Sequence, residues 1–166
     1  MVNGKPFVNI EVLVDNEYIT RATEIISQAK SEILLSTFKI QSGTNKRTQI
    51  LREMVDLLVE KLKQGVRVLL LINWKESRKG VPKTNEPVAN LLRASGADVR
   101  YLKQGRCCHA KILLVDNSKV ILGSHNWSAA SLQENFEISL FIESAELARK
   151  IKDRWLRSYT EAKRWL

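Results

Sequence analysis

A chain of 166 residues and 19.0 kDa has the size of a single domain, and its 44% hydrophobic content is enough to form a buried core. The formal net charge of +9 favours phosphate-rich partners, such as nucleic acid or an anionic membrane. No run approaches the roughly 18 apolar residues of a membrane-spanning helix, so the sequence argues against an integral membrane protein.

The patterns in the first half of the chain alternate between strand and helix. They predict a strand at residues 8–14, a helix that begins at a cap in residues 15–16 and runs to about residue 30, and a strand at residues 33–38. A helix at residues 48–63 follows, and then a strand at residues 66–72 that is apolar enough to be central and covered on both faces. Residues 74–85 carry four basic side chains together with glycine and proline, which predicts a basic loop.

The second half continues the alternation. A short helix at residues 87–94 and a strand at residues 99–102 precede two strands, residues 109–115 and 120–124, which a turn at residues 116–118 joins into a hairpin. A last strand at residues 136–142 leads to a terminal helix capped by Ser144. The sequence therefore predicts one α/β domain over residues 1–166, with a mixed central β-sheet flanked by helices on both faces.

The sequence shows neither a secretory signal nor a disulfide framework. The first residues lack the apolar stretch of a signal peptide, which favours the cytoplasm; removal of a leader would instead indicate a periplasmic or secreted protein. The only cysteines, Cys107 and Cys108, are adjacent and lack the spacing of a zinc-binding set. We expect both to be half-buried strand residues, with Cys107 on the same face as His109.

Polar residues at alternate positions make the predicted hairpin the candidate site. His109 and Lys111 project from one face of a strand, with Cα atoms about 6.5 to 7 Å apart. One phosphate can span that gap, with the imidazole at phosphorus and the ammonium at a non-bridging oxygen. Ser124 and Asn126 also lie two positions apart, and they share a face if the second strand extends that far. If the hairpin brings that face beside the first, four polar groups converge on one anion.

The chain resembles the phospholipase D superfamily, and most of all its small, single-motif bacterial nucleases. The resemblance rests on the pattern H-x-K-x4-D-x6-G-S-x-N, which the chain matches at His109, Lys111, Asp116, Gly123, Ser124 and Asn126. It extends more loosely over residues 17–159, and it implies the phospholipase D-like fold.

The resemblance also implies roles for these residues. His109, Lys111, Asn126 and Ser124 would be catalytic, and the last three of these would also bind the phosphate oxygens. Asp116 and Gly123 belong to the motif as structural residues, outside the reaction centre. Glu137, eleven residues beyond Asn126, resembles the glutamate that hydrogen-bonds the catalytic histidine in the small nucleases, and it is counted with the catalytic residues.

Several residues near the motif have plain structural interpretations. A lone strand histidine is more often structural, and this is the interpretation of His125, which we expect on the opposite face from Ser124. Trp127 is expected in the core or in an interface rather than against a base. Asp116 is expected to bond turn amides or a neighbouring chain. Ser124 as a turn hydroxyl and Glu137 as a surface carboxylate remain alternatives.

The family mechanism needs two histidines at one phosphorus. One attacks to form a covalent phosphohistidine, and the other, protonated, serves the leaving oxygen and then activates water. This chain has no second H-x-K pattern, and its only other histidine is His125. We therefore expect a homodimer in which each subunit supplies His109, Lys111 and Asn126 around a two-fold axis, without a metal ion or other cofactor.

The basic charge and the lack of an acyl-chain lid favour nucleic acid, DNA or RNA, as the substrate. The basic residues of 74–85 would then flank a groove on both sides of the axis. One alternative is a phospholipase D-type lipid hydrolase or phosphatidyltransferase. An alternative of another class is a nucleic-acid-binding module without activity.

Overall fold

A single mixed sheet organises the chain. The structure is a computed structural model, which describes residues 8–41, 46–73, 82–102 and 106–164. In these ranges eight strands are ordered β1-β7-β6-β5-β2-β3-β4-β8. The strands are β1 (Asn9–Val14), β2 (Glu32–Ser36), β3 (Arg67–Ile72), β4 (Asp98–Tyr101), β5 (Ile112–Val115), β6 (Lys119–Gly123), β7 (Ile138–Glu143) and β8 (Lys163–Arg164). The helices are α1 (Glu17–Ser27), α2 (Gln49–Lys63), α3 (Pro82–Ala94), α4 (Ala129–Gln133) and α5 (Ala145–Glu161), with a 3₁₀ turn at Lys46–Thr48.

Helices cover the sheet on both faces, as the sequence predicts. The neighbours β2, β3 and β4 run parallel, and the remaining described pairs are antiparallel. The larger core joins one face to buried residues of α1, α2 and α3, and a smaller core places Trp155 and Tyr159 of α5 against the other face. Strands β2 and β3 lie at the centre, which explains why their sequences are apolar almost without interruption.

The predicted hairpin lies between β2 and β7. Strand β5 pairs with β2 on one side and β6 on the other, and β6 pairs in turn with β7. Asp116 and Asn117 turn the chain with φ of 49° and 56°. Aspartate and asparagine tolerate this left-handed conformation better than most residues, so the turn sequence suits the hairpin.

Some predicted boundaries are wrong. The strand predicted from residue 109 begins at Ile112, and residues 106–111 approach it outside the sheet. The predicted basic loop at residues 74–85 is wrong at its end, because α3 begins at Pro82 and Asn85 is buried within that helix. The rest of that loop, residues 74–81, lies outside the described residues. Helix α4 and strand β8 were not predicted.

The terminal segments agree with the sequence in part. The Ser144 side chain caps α5 by accepting a hydrogen bond from the Leu147 amide, with 3.3 Å between the atoms. Helix α1 ends at Ser27 rather than near residue 30. Among the described residues, none of the helices has the length and apolar character needed to cross a membrane.

Candidate active site

A buried asparagine holds the segment that carries the predicted nucleophile. Asn73 directly follows β3 and is 1% exposed. Its side-chain oxygen accepts from the Cys108 amide at 2.7 Å, and its side-chain nitrogen donates to the Cys108 carbonyl at 3.2 Å. These two bonds hold the backbone of Cys108, which lies in the segment before β5. The position of His109 therefore depends on the side chain of the residue that follows β3.

A second asparagine braces the first. Asn85 of α3 donates to the Phe38 carbonyl at 3.2 Å and to the Asn73 carbonyl at 3.4 Å, and its oxygen accepts from the Ile40 amide at 2.9 Å. Asn73 also donates to the Phe38 carbonyl at 3.2 Å. The side chains of the two asparagines thus connect the ends of β2 and β3 to the segment before β5.

His109 and Lys111 are in direct contact at this edge of the sheet. The His109 side chain is exposed, and its ring lies 5.3 Å from that of Phe38, centroid to centroid. Lys111 Nζ lies 3.1 Å from His109 Nδ1, donates to the His109 carbonyl at 2.7 Å and sits 5.7 Å from the Phe38 ring centroid. Burial lowers the pKa of Lys111, because it removes solvent from the ammonium. An imidazole and a cation thus face solvent together.

Glu137 and Ser124 form a second group beside this pair. The Glu137 carboxylate accepts from Ser131 Oγ at 2.7 Å and from Asn135 Nδ2 at 3.2 Å. Burial by itself raises the pKa of Glu137, but hydrogen bonds from Ser124, Ser131 and Asn135 outweigh it and hold that pKa below its ordinary value. The carboxylate is therefore ionised at neutral pH, and its charge acts on Lys111. Ser124 Oγ also accepts from the Ile138 amide at 3.1 Å.

The Asn126 side chain bonds to residues 37–39, the segment after β2 whose Phe38 ring contacts His109. Its side-chain oxygen lies 3.3 Å from both Thr37 Oγ1 and the Lys39 amide, and both groups donate to it. Its own amide donates to Ser131 Oγ at 2.8 Å. Asn126 therefore bonds both neighbours of Phe38, the residue whose ring packs on His109.

The two remaining motif residues shape the hairpin. The Asp116 carboxylate accepts from the amides of Lys30, Ser31 and Glu32 and from Ser31 Oγ, at 2.8 to 3.0 Å. Although burial raises the pKa of Asp116, these hydrogen bonds lower it overall. A Cβ on Gly123 would lie 2.3 Å from Ser139 Oγ and 2.5 Å from the Ile138 carbonyl oxygen, so only glycine permits this approach of β6 to β7.

His125 and Trp127, which were predicted to be structural, are both buried. His125 is fully buried, with Nδ1 2.7 Å from Ser139 Oγ and Nε2 2.9 Å from the Asp15 carbonyl, and its ring stacks on Tyr18. Trp127 is also fully buried and donates its indole N–H to Tyr18 Oη at 2.8 Å. The structural predictions for both residues are confirmed. The prediction for the cysteines is wrong, because neither lies on a strand: Cys107 is exposed and Cys108 is buried.

Sequence reasoning missed the two asparagines and the serine that organise the site. A signal existed for Asn73, since it is the polar residue directly after the apolar run of residues 68–72, where side chains gather at the sheet edge. Asn85 was assigned to a loop, and Ser131 lies on the short helix that was not predicted. In the described ranges, no three histidine, cysteine or acidic side chains lie close enough together to hold a metal ion.

Comparisons with known proteins identify the family. The family described as cardiolipin synthase, PLD-like domain, matches residues 22–158. The mouse mitochondrial cardiolipin hydrolase is 34% identical over 143 residues, covering 86% of this chain and 58% of that protein. The monkeypox virus virion nicking-joining enzyme is 30% identical over 148 residues, covering 81% of this chain and 32% of that protein.

Fold comparison agrees with the sequence matches. The Salmonella typhimurium phospholipase D family member Nuc superposes with a TM-score of 0.79 at 20% identity, covering 96% of this chain and 99% of that one. The match spans about half the length of the phospholipases D from Rickettsia species. With the family match over most of its length and the fold of Nuc, the chain belongs to the phospholipase D superfamily.

Proposed function

We propose that this chain is a phosphodiesterase that cleaves nucleic acid through a covalent phosphohistidine on His109, without a metal ion. The observation that carries the proposal is the contact of Lys111 Nζ with the exposed His109 ring at 3.1 Å. A phosphate bound there meets a nucleophile and a cation together. Superfamily membership supports phosphodiester chemistry at these residues.

The reaction proceeds in two displacements at phosphorus. A ring nitrogen of neutral His109 attacks, and the bond from phosphorus to the leaving oxygen breaks as that oxygen takes a proton from a second, protonated imidazole. The second imidazole then takes a proton from water, which attacks phosphorus and displaces the His109 nitrogen. Lys111 and Asn126 stabilise the charge on the non-bridging oxygens, Ser124 helps to bind the phosphate, and Glu137 orients or polarises the imidazole.

The second imidazole comes from another copy of this chain. His125 cannot serve, because it is fully buried and both of its ring nitrogens have partners. An uncovered apolar face beside the site supports a homodimer. On β1, Ile10 and Val12 are 57% and 55% exposed, and at β7 Phe136 and Ile138 are 78% and 44% exposed. Monomers rarely leave such a group of large apolar side chains in water.

The register of the sheet connects this face to the site. Val12 pairs with Leu140, Leu140 with Leu122, and Leu122 with Ile112, the residue next to Lys111. Paired residues in antiparallel strands project to the same side. The row leads from the exposed edge strand β1 to Ile112, but only its β1 and β7 end is exposed, since Leu122 and Ile112 pack against the smaller core beneath α5. This exposed end is where a second copy is proposed to pack.

Nucleic acid is the proposed substrate because the net charge of +9 suits a long polyanion. The similarity to a nicking-joining enzyme agrees with this choice. A phospholipid is the second candidate, which a specific observation favours: an apolar groove adjoins His109.

The test is a digestion assay on labelled DNA, RNA and phospholipid in excess EDTA. We expect cleavage of nucleic acid by the wild type and none by His109→Ala. Activity that EDTA abolishes and magnesium or zinc restores would refute the mechanism. Release of lipid headgroup without nucleic-acid cleavage would select the second candidate, and retention of nucleic acid without cleavage of any substrate would indicate a binding module.

A further inference from the structure

A buried hydroxyl on the short helix α4 links two residues of the candidate site. Ser131 is 2% exposed and lies in the middle of that helix. Its Oγ is 2.8 Å from the backbone nitrogen of Asn126 and 2.7 Å from Glu137 Oε1. One side-chain atom therefore bonds both the predicted phosphate-binding asparagine and the predicted carboxylate, although these two residues belong to different segments of the chain.

The direction of the two hydrogen bonds is fixed by the groups that form them. The backbone amide of Asn126 can only donate, so the Ser131 oxygen accepts there and its one proton is donated to Glu137. Asn135 Nδ2 donates to the same carboxylate oxygen at 3.2 Å. Two donors at one oxygen suit an ionised carboxylate, and together they restrict both its position and its rotation.

Helix α4 is anchored by contacts outside the candidate site. Ser128 caps it by accepting from the Ser131 amide, with 3.4 Å between the atoms. Gln41 Oε1 accepts from the Ala129 amide at 3.2 Å, and the Gln41 amide donates to the carbonyl of the fully buried Trp127 at 2.8 Å. The Ser131 hydroxyl therefore projects from a fixed backbone, which allows it to determine where its two partners lie.

We propose that Ser131 is a positioning residue, whose hydroxyl holds the Glu137 carboxylate and the Asn126 backbone in one fixed arrangement. The Glu137 charge acts on Lys111, so a displaced carboxylate would change the electrostatic field at the cation that meets the phosphate. A displaced Asn126 backbone would move the side chain that stabilises the phosphate oxygens. The inference rests on the proposed function, and it adds a residue that acts without touching the substrate.

The first test measures cleavage of a phosphodiester that releases a chromophore. Ser131→Ala should lower kcat by about 10-fold with little change in KM, because the lost hydroxyl orients groups that act in the transition state. Ser131→Thr retains the hydroxyl and should stay within about 3-fold of the wild-type kcat. Ser144→Ala is the matched control: it removes another buried serine that bonds a helix, at the start of α5, and it should leave kcat unchanged.

The second test is a double-mutant cycle with Glu137→Gln, which removes the charge but keeps the shape of the side chain. If Ser131 acts by holding that charge, Ser131→Ala should lower kcat by less than about 3-fold in the Glu137→Gln background. A purely structural serine would cause the same fold loss in both backgrounds. Thermal unfolding shows whether each variant is folded at the assay temperature. If Ser131→Ala is unfolded, Ser131→Cys, a weaker donor of similar shape, takes its place in the cycle.

The outcomes separate this inference from the proposed function. An unchanged kcat in Ser131→Ala, an equal loss in Ser144→Ala, or the same fold loss in both backgrounds of the cycle would overturn the role of Ser131 and leave the proposed function intact. A wild type that does not cleave the phosphodiester, or a His109→Ala variant that cleaves it equally well, would overturn the proposed function and the inference together.

Discussion

Removal of the Asn73 side chain should slow the reaction more than the loss of stability explains. Asn73→Ala breaks three hydrogen bonds, to the Cys108 amide, the Cys108 carbonyl and the Phe38 carbonyl. Because each hydrogen bond contributes about 1 kcal/mol, the free energy of unfolding should fall by about 3 kcal/mol. For a chain of this size Tm then falls by roughly 6 to 12 °C.

The catalytic effect follows from the position of the lost bonds. Residues 106–111 precede the strand β5, so the two hydrogen bonds from the Asn73 side chain to Cys108, here called the Asn73 clamp, determine the position of His109. A displacement of about 1 Å at a reacting group costs on the order of 10²-fold in rate. We expect kcat to fall by about 10- to 100-fold with little change in KM, measured well below Tm on a labelled oligonucleotide or on a phosphodiester that releases a chromophore.

Asn85→Ala is the matched control. It also removes three hydrogen bonds from a buried amide, but none of them goes to Cys108. We expect a similar loss of Tm and a clearly smaller loss of kcat. If the two variants lose kcat equally, or if Asn73→Ala retains the wild-type kcat, the clamp does not position the nucleophile.

Three further predictions concern the motif. Lys111→Ala should reduce kcat by about 10²-fold or more, whereas Lys119→Ala, at the far end of the hairpin, should leave it unchanged; equal effects would point to general charge rather than phosphate binding. The pKa of Asp116 is lower in the folded protein than its ordinary value of 3.8. The ionised carboxylate therefore stabilises the fold above about pH 3.8, and this stabilisation is lost as the pH falls from there through the pKa of the folded state. The stability advantage over Asp116→Asn in urea unfolding should therefore narrow below about pH 3.8, and an advantage constant down to pH 2.5 would contradict the linkage. Mixing exchangeable wild-type and His109→Ala subunits should lower activity as the square of the wild-type fraction, whereas a linear fall would show that each subunit holds a complete site.

The sequence predicted the layers of the fold well because they depend on local patterns. Apolar runs gave the central strands, and helical spacing gave α2 and α5. The sequence predicted His109 and Lys111 on one face of a strand with a phosphate spanning the gap between them, whereas the strand begins after both residues and their side chains are in direct contact. Side-chain hydrogen bonds hold them there, and such bonds leave no periodicity in the sequence.

The residues that support the motif residues from behind could not be predicted, for the same reason. Asn73 and Asn85 are 12 positions apart, and they meet only because α3 returns to the end of β3. Ser131 bonds both Glu137 and Asn126 from a helix of five residues, which is too short to show a helical repeat. Contacts of this kind depend on tertiary structure, whereas the motif residues are visible in one line of sequence.

The strand order has a consequence for how the chain reaches its native state during synthesis. Strand β1 pairs with β7, and one edge of β2 is completed only by β5, so both early strands wait for partners that the ribosome makes much later. Until then β1 and one edge of the central strand β2 expose unpaired backbone groups, which are templates for intermolecular association. The nascent chain should therefore depend on chaperones until the hairpin and β7 have emerged, and folding should be slow for a domain of this size.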